Sequence, residues 1–279
     1  MSSMGTTLRS IYQKPLRSLD GLGAELAFYV KAIAWTPRTV RRYKKEILRL
    51  LAEVTLGSGA LAVIGGTVGV ITAMAFFTGT EVGLQGYAAL NQLGTAAFSG
   101  FVSAYFNTRE IAPLVAAIAL AATVGCGFTA QLGAMRISEE VDALEVMAIP
   151  SMPFLVTTRI IGGLIAIVPL YVVGLLSSYF ATRLTVTGFF GQSTGTFDHY
   201  FSEFLPPGDV LWSFGKVLVF AVVVILIHCY HGYTATGGPA GVGVAVGRAV
   251  RTSIVAINVI DLFLSMAIWG TSTTVRLAG

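Results

Sequence analysis

Few side chains in this sequence could do chemistry, and most of them interrupt or border long apolar runs. His228 and His231 stand three residues apart, a spacing at which two imidazoles on one helix can share a metal with further ligands. His199 is the remaining histidine and belongs to the other side of a membrane span, so no third ligand is apparent and no metal site is expected. Arg109 and Glu110 open one apolar run, and Lys216 and Asp261 interrupt two others. Ionisable groups at membrane depth are costly and are usually retained for function. A guanidinium such as Arg109 suits a phosphate or carboxylate headgroup. Opposite charges can equally lock helices together, and the residues alone leave the two readings level. Lys216 and Asp261 read as structural intramembrane charges. No Ser/His/Asp set and no carboxylate pair has a catalytic context, so no catalytic residue is expected. The remaining concentration of charge is GAMRISEEVDALEVMAIP, residues 133–150, where four of the chain's 14 acids fall between Glu139 and Glu145.

These residues need elements to position them. The chain has 279 residues, is 54% hydrophobic and only 11% charged, and has a mean hydropathy of +0.76. Soluble domains carry about 25% charge. Thr55–Phe77 and Ile160–Thr182 each run 23 residues without an acid or base, and Ile111–Met135 runs 25. A bilayer core is crossed by ~20 helical residues, so the chain reads as an all-α polytopic membrane protein. No cleavable leader is visible in the first 20 residues, and Cys126 and Cys229 both fall in apolar runs as free thiols.

Ten of the 18 Lys and Arg precede residue 50. Beside a span, such a cluster reads as a cytoplasmic anchor near anionic headgroups, not as a nucleic-acid site. Within it, Thr36 suits an N-cap and Pro37 a first helical position. Val40, Tyr43, Ile47, Leu50, Leu51 and Val54 recur on one helical face, the pattern of a helix lying in the membrane interface. Residues 84–106 are uncharged but polar in places, and fit a span, a re-entrant segment or an elbow. A single crossing between Phe77 and Arg136 keeps Arg136, Arg159, Arg248 and Arg251 on the side of the basic N-terminus. Five spans follow, at roughly 55–77, 100–133, 157–182, 212–233 and 252–275, with the N-terminus cytoplasmic and the C-terminus outside. Residues 1–54 form the cytoplasmic terminus and interfacial helix, and 55–279 the span-bearing domain. In the outer loop 184–211, Phe197, Tyr200, Phe201, Phe204 and Leu205 recur at helical spacing, which predicts an aromatic amphipathic helix resting on lipid or on a partner. Gly65-xxx-Gly69 and Gly162-xxx-Ala166 predict close helix contacts.

The acidic stretch then reads as a short cytoplasmic helix at about 137–149, joining two spans. Ser138 is placed to cap it, and Glu139 and Glu140 fall in the first turn, where the helix dipole favours anions. Ile137, Val141, Leu144 and Ala148 line one face, while Glu140, Asp142 and Glu145 line others. Pro150 and Pro153 end it. It is either a solvated connector or a helix presented to a partner, and spacing does not choose between them.

The segment NTREIAPLVAAIALAATVGCGFTAQLGAMRISEEVDALEVMAIPSMPFLVTTRIIGG, residues 107–163, resembles the MlaE/YrbE permease family, membrane subunits of ABC transporters that work with MCE-domain proteins. Arg109, Glu110, Pro113, Gly133, Met135, Glu139, Asp142, Ala143, Leu144 and Met147 fit the family pattern. GYTATGGPAGVGVAVGRAV, 232–250, resembles its Gly-rich cytoplasmic loop. The sequence departs at Gln131, where the family usually has Glu, and the departure is taken to mark one type of a permease pair. The resemblance implies a coupling helix carrying Ser138, Glu139, Glu140, Asp142, Leu144, Glu145 and Met147, set in a groove of a cytoplasmic ATPase dimer. It places Arg109 and Glu110 towards a lipid cavity between two non-identical permeases. It also implies hexameric MCE-domain partners outside, and a hydrophobic cargo such as fatty or mycolic acids, sterols or phospholipids, with import as the direction. The chain has no G-x(4)-G-K-[ST] loop, so ATP and Mg are expected on the partner, with no cofactor here. The alternatives are a membrane-embedded lipid-modifying enzyme and a non-transporting scaffold for MCE proteins.

Overall fold

The computed structural model describes residues 21, 23–56 and 66–270. The regular elements among these are helices: α1 (23–34), α2 (Thr36–Arg42), α3 (Lys44–Leu56), α4 (Thr67–Gln92), α5 (Ala96–Ile137), α6 (Glu140–Val146), α7 (Met152–Phe189), α8 (Thr194–Glu203), α9 (Pro207–Tyr233) and α10 (Gly238–Trp269). Helices α4, α5, α7, α9 and α10 are long and apolar enough to cross a bilayer. The protein is an all-α, multi-pass membrane protein.

The ambiguous 84–106 region is an elbow. Helix α4 runs to Gln92, Gly94 takes a left-handed turn at φ 72°, and α5 begins at Ala96. The predicted start of the first span, near residue 55, differs because α3 continues to Leu56; residues 57–65, including Gly65 of the predicted Gly-xxx-Gly pair, lie outside the described set. The N-terminal amphipathic segment is two helices broken at Tyr43, and α1 precedes them. Thr36 lies inside α2 with Trp35 at the cap position, so it is no N-cap. The Gly-rich stretch 237–247, expected as a loop, is helical from Gly238 onward. The bend is confined to Gly237 and Gly238, at φ 89° and 68°, with Pro239 in the first turn of α10. Gly241, Gly243 and Gly247 lie within α10, which packs on α5 where that helix is bare: a side chain on Gly133 of α5 would reach within 2.9 Å of Val242 on α10.

In lipid, helices gain little from hiding apolar surface from one another, so close backbone approach and interhelical hydrogen bonds decide the packing. Helices α4 and α7 show this along a small-residue seam. A Cβ on Gly79 would lie 2.8 Å from the Ser178 Cα, and one on Gly174 would lie 2.8 Å from Ile71. Thr182 Oγ1 donates to the Gly79 carbonyl at 2.7 Å, and Ser177 Oγ to the Thr72 carbonyl at 3.0 Å. Gly162 admits α3, with Leu50 Cβ 3.5 Å from where its side chain would be. Helix α8 lays its aromatic face on the start of α5 of the same chain: Phe197 is buried, and the Phe98 and Tyr200 ring centroids are 4.4 Å apart. Arg183 holds α8 to the end of α7 through two 2.8 Å bonds to Asp198, and so draws that carboxyl below its ordinary range.

Gly79→Val should therefore push α4 off α7 and lower stability by about 1–3 kcal/mol, the usual cost of overpacking. Gly215→Ala, where nothing lies within 4 Å, should leave thermal unfolding of the purified chain unchanged or slightly raised. Equal unfolding temperatures for wild type and Gly79→Val would show that the seam does not set the packing.

Candidate functional site

The intramembrane charges gather where α5, α9 and α10 converge. Pro113 has no N–H to give the carbonyl four residues before it, that of Arg109. Lys216 Nζ, on α9, donates to that carbonyl at 2.7 Å. Locally α5 is wound wider than an α-helix from Ser103 to Ile111, with the Ala112 N–H bonded to the Asn107 carbonyl. Lys216 has a fully buried side chain. Its ammonium also lies 2.7 Å from Asp261 Oδ1, 2.8 Å from Ser265 Oγ and 3.2 Å from Glu110 Oε2. Ser265 Oγ in turn donates to Glu110 Oε1 at 2.8 Å. Arg109 turns to the start of α9, where its Nε donates to Asp209 Oδ2 at 2.7 Å. Trp269 Nε1 donates to the other oxygen of that carboxylate at 3.0 Å. The guanidinium lies over Tyr105 at 4.1 Å and over Trp269 at 5.1 Å.

Two of the predicted residues, Arg109 and Glu110, are thus adjacent in sequence but answer to different partners. Lys216 and Asp261 join them in one network. Asp209, Ser265 and Trp269 complete it and were not picked out in the sequence. Asp209 sits just after Pro206-Pro207-Gly208, in the first turn of a helix, and reads there as an ordinary N-terminal acid. When all are ionised, two cations face three carboxylates, leaving one negative charge in excess. Glu110 is the most open of the five, with a third of its side chain exposed. The chemistry such a cluster supplies is mutual neutralisation and helix registry.

The acidic stretch forms the second site. Helix α6 spans Glu140–Val146, shorter than the predicted 137–149. Ser138 does not cap it. Its hydroxyl turns back to the Ala134 carbonyl at 3.0 Å, and Glu139 occupies the cap position with a left-handed backbone, φ 62°. The turn is needed because α5 already ends through Ser138, whose N–H closes on Ala134. Ala148, expected on the apolar face, lies past the helix at φ 58°. Val141 is buried, Leu144 half-buried, and Glu139, Glu140, Asp142 and Glu145 are exposed. Val146 and Met147 are 88% and 61% exposed. Two ties fix the helix to the bundle. Arg136 meets Asp142 at 2.7 Å. Glu145 accepts from Ser151 at 2.6 Å, and Ser151 lies 2.7 Å from the Tyr233 hydroxyl. The result is a rigidly held helix with an exposed acidic and apolar tip.

His228 serves packing between spans. Its Nδ1 lies 2.8 Å from Thr129 Oγ1, and its ring fills the place a side chain on Gly125 would take. Gln131 Oε1 accepts from Arg159 at 3.1 Å, so the position that departs from the family pattern adjoins a buried arginine.

Residues 57–267 match the family model described as Permease MlaE. A probable ABC transporter permease protein of Rickettsia bellii is 27% identical over 256 residues, covering 92% of this chain and 95% of that protein. A probable ABC transporter permease protein of Synechocystis is 32% identical over 182 residues, 65% of this chain and 69% of that one. The intermembrane phospholipid transport system permease protein MlaE of Haemophilus influenzae is 26% identical over 202 residues, 72% of this chain and 77% of that one.

Replacing Lys216 with Met should strand buried carboxylates and cost about 3–5 kcal/mol, read as a lowered unfolding temperature or lost membrane-inserted yield. Adding Asp261→Asn and Glu110→Gln should restore much of it. A single variant that unfolds at the wild-type temperature would show that the network does not hold the bundle.

Proposed function

The chain belongs to the MlaE permease family, a family of ABC transporter permeases, and from that premise we propose that it is the membrane subunit of an ATP-driven lipid transporter in the cell membrane. Cargo in this reading is a hydrophobic lipid, and the phospholipid system to which the Haemophilus relative belongs supports that class. The basic N-terminal segment faces the cytoplasm, the C-terminus faces outward, and import is the direction. The subunit is of the actinobacterial type that works with MCE-domain proteins on the outer side. Gln131 distinguishes this member of a pair of non-identical permeases. The outward apolar faces of α4 and α10, with Phe77, Val255, Phe263 and Met266 well exposed, are where the second permease fits.

The observation that carries the reading is α6. A transporter whose membrane subunit has no phosphate loop needs a rigid element through which a cytoplasmic ATPase dimer, holding ATP and Mg, moves the spans. Helix α6 continues from α5 through a single tight turn and is tied to α9 through Ser151 and Tyr233. A push on its exposed tip therefore reaches the spans that carry the charged network. Ser138, Glu139, Glu140, Asp142, Leu144, Glu145 and Met147 are the coupling set, with Ser138 shaping the turn and Val146 added at the tip.

Charge reversal at Glu139 and Glu140 should uncouple the ATPase, with transport falling about tenfold or more, the equivalent of 1.4 kcal/mol at the interface. Insertion should be normal, since neither side chain bonds to another helix among the described residues. Asp142 should be reversed separately, because it also loses Arg136. Unchanged lipid uptake and unchanged ATPase association in the double variant would remove the coupling role.

Arg109 and Glu110 are proposed at the lipid cavity, and a headgroup reaching Arg109 must compete with Asp209. Arg109→Ala alone strands Asp209, whereas Arg109→Ala with Asp209→Asn removes the pair. Assembled but inactive complexes in both would support a cargo contact. Recovery of both assembly and uptake in the double variant would make the pair structural only.

A further inference from the structure

The basic N-terminal segment holds a built cleft that the transport reading does not use. It lies between α2 and the start of α7, has a volume of about 310 Å³, and is lined by Trp35, Arg38, Thr39, Arg42, Tyr43, Pro150 and Pro153. Arg38 and Arg42 are one helical turn apart, so both guanidinium groups stand over the same face of α2. Aromatic rings flank them: Arg38 lies 5.4 Å from the Trp35 centroid and Arg42 6.0 Å from that of Tyr43. Tyr43 is steadied by an edge contact with Phe154, at 5.4 Å. Among the described residues, neither arginine is paired with a carboxylate. Between them on the helix, Thr39 has no solvent exposure, and its hydroxyl has no hydrogen-bond partner among the described residues. A buried hydroxyl left without a partner is uncommon in folded proteins and asks for an atom that the described residues do not supply.

From this geometry we infer that the cleft binds the phosphate of an anionic lipid headgroup, with Arg38 and Arg42 on the phosphate oxygens, and that an occupant which displaces the side chains now covering Thr39 meets its hydroxyl as well. Guanidinium forks match phosphate oxygens, and a hydroxyl donor adds a third contact at short range. The depth favours a lipid over free phosphate. The far wall is Pro150 and Pro153, and α7 enters its apolar run from Met152, so the cleft sits at the level where a spanning helix meets the headgroups. Exposed Arg41, Lys44 and Lys45 add to the positive field around it. An occupant would brace α2 against the segment that directly follows α6. The inference stands on α2 and its cleft alone and does not depend on the cargo or on transport.

The test uses the purified full chain in detergent, titrated with phosphatidylglycerol against a phosphatidylcholine background, with lipid retained per chain read by native mass spectrometry. Thr39→Val, which keeps the side-chain shape, and Arg42→Gln should each weaken retention about fivefold, the equivalent of one lost hydrogen bond or one surface cation. Arg41→Gln, on the same helix but outside the cleft, should change it less than about twofold. Unfolding temperatures without phosphatidylglycerol should match wild type for all three. Equal losses for Arg41→Gln and Arg42→Gln would reduce the effect to diffuse surface attraction and overturn the site. Retention indifferent to Thr39→Val and Arg42→Gln would do the same. If inorganic phosphate alone raised the unfolding temperature as much as phosphatidylglycerol, and Thr39→Val abolished that rise, the ligand would be a free anion and the lipid assignment would fail.

Discussion

A lysine ammonium buried among spanning helices is tolerated only where every one of its needs is met locally. Lys216 is in that position. Two carboxylates, a hydroxyl and a backbone carbonyl surround it, and that carbonyl is the one Pro113 leaves without its α-helical donor. The proline and the lysine therefore explain each other. A break in the hydrogen-bond ladder of α5 creates an acceptor at membrane depth, and a cation from α9 satisfies it. Asp261 and Ser265 from α10 then follow, because a single cation against one carbonyl would remain uncompensated. The register of α5, α9 and α10 is fixed by this requirement more than by apolar packing, which in lipid discriminates weakly between registers.

Fixed registry at the charged network gives the rest of the structure its leverage. Helix α5 is 42 residues long, about 60 Å at the usual helical rise. Its start lies under the aromatic face of α8, its middle carries the charged network, and its end turns through Ser138 and Glu139 into α6. Ser151 and Tyr233 return that end to α9. In the coupling role proposed for α6, a displacement would pass along two helices that share the Lys216 network. An ABC permease needs such a path between its energy input and the cavity it opens, and the same chain supplies no phosphate loop of its own.

Much of this was legible in the sequence because of two simple signals. Charge-free runs of 23 and 25 residues located the spans, since bilayer thickness leaves little freedom in helix length. Acids concentrated between Glu139 and Glu145 marked α6 because they had no use in a core. The elbow at Gly94 and the helical state of 238–250 were not legible. Glycine reads as a turn signal in isolation, yet only Gly237 and Gly238 take left-handed angles in that stretch, and the glycines after them continue the helix. The partners of Arg109 and Glu110 were hidden for a related reason. Asp209 and Trp269 are 100 and 160 positions from Arg109, and their types carry no mark of pairing until three helices converge. Ser138 looked like an N-cap on residue type, but its backbone was already committed to ending α5.

The most direct test of the account places a photo-crosslinking side chain at Val146, the most exposed apolar position on α6, in the intact membrane-embedded complex. The account predicts a crosslink to the cytoplasmic ATP-hydrolysing subunit that changes in yield when ATP is trapped in its hydrolysis state. Labelling of position 146 only from the outer side of the membrane, or no crosslink to that subunit in any nucleotide state, would contradict it.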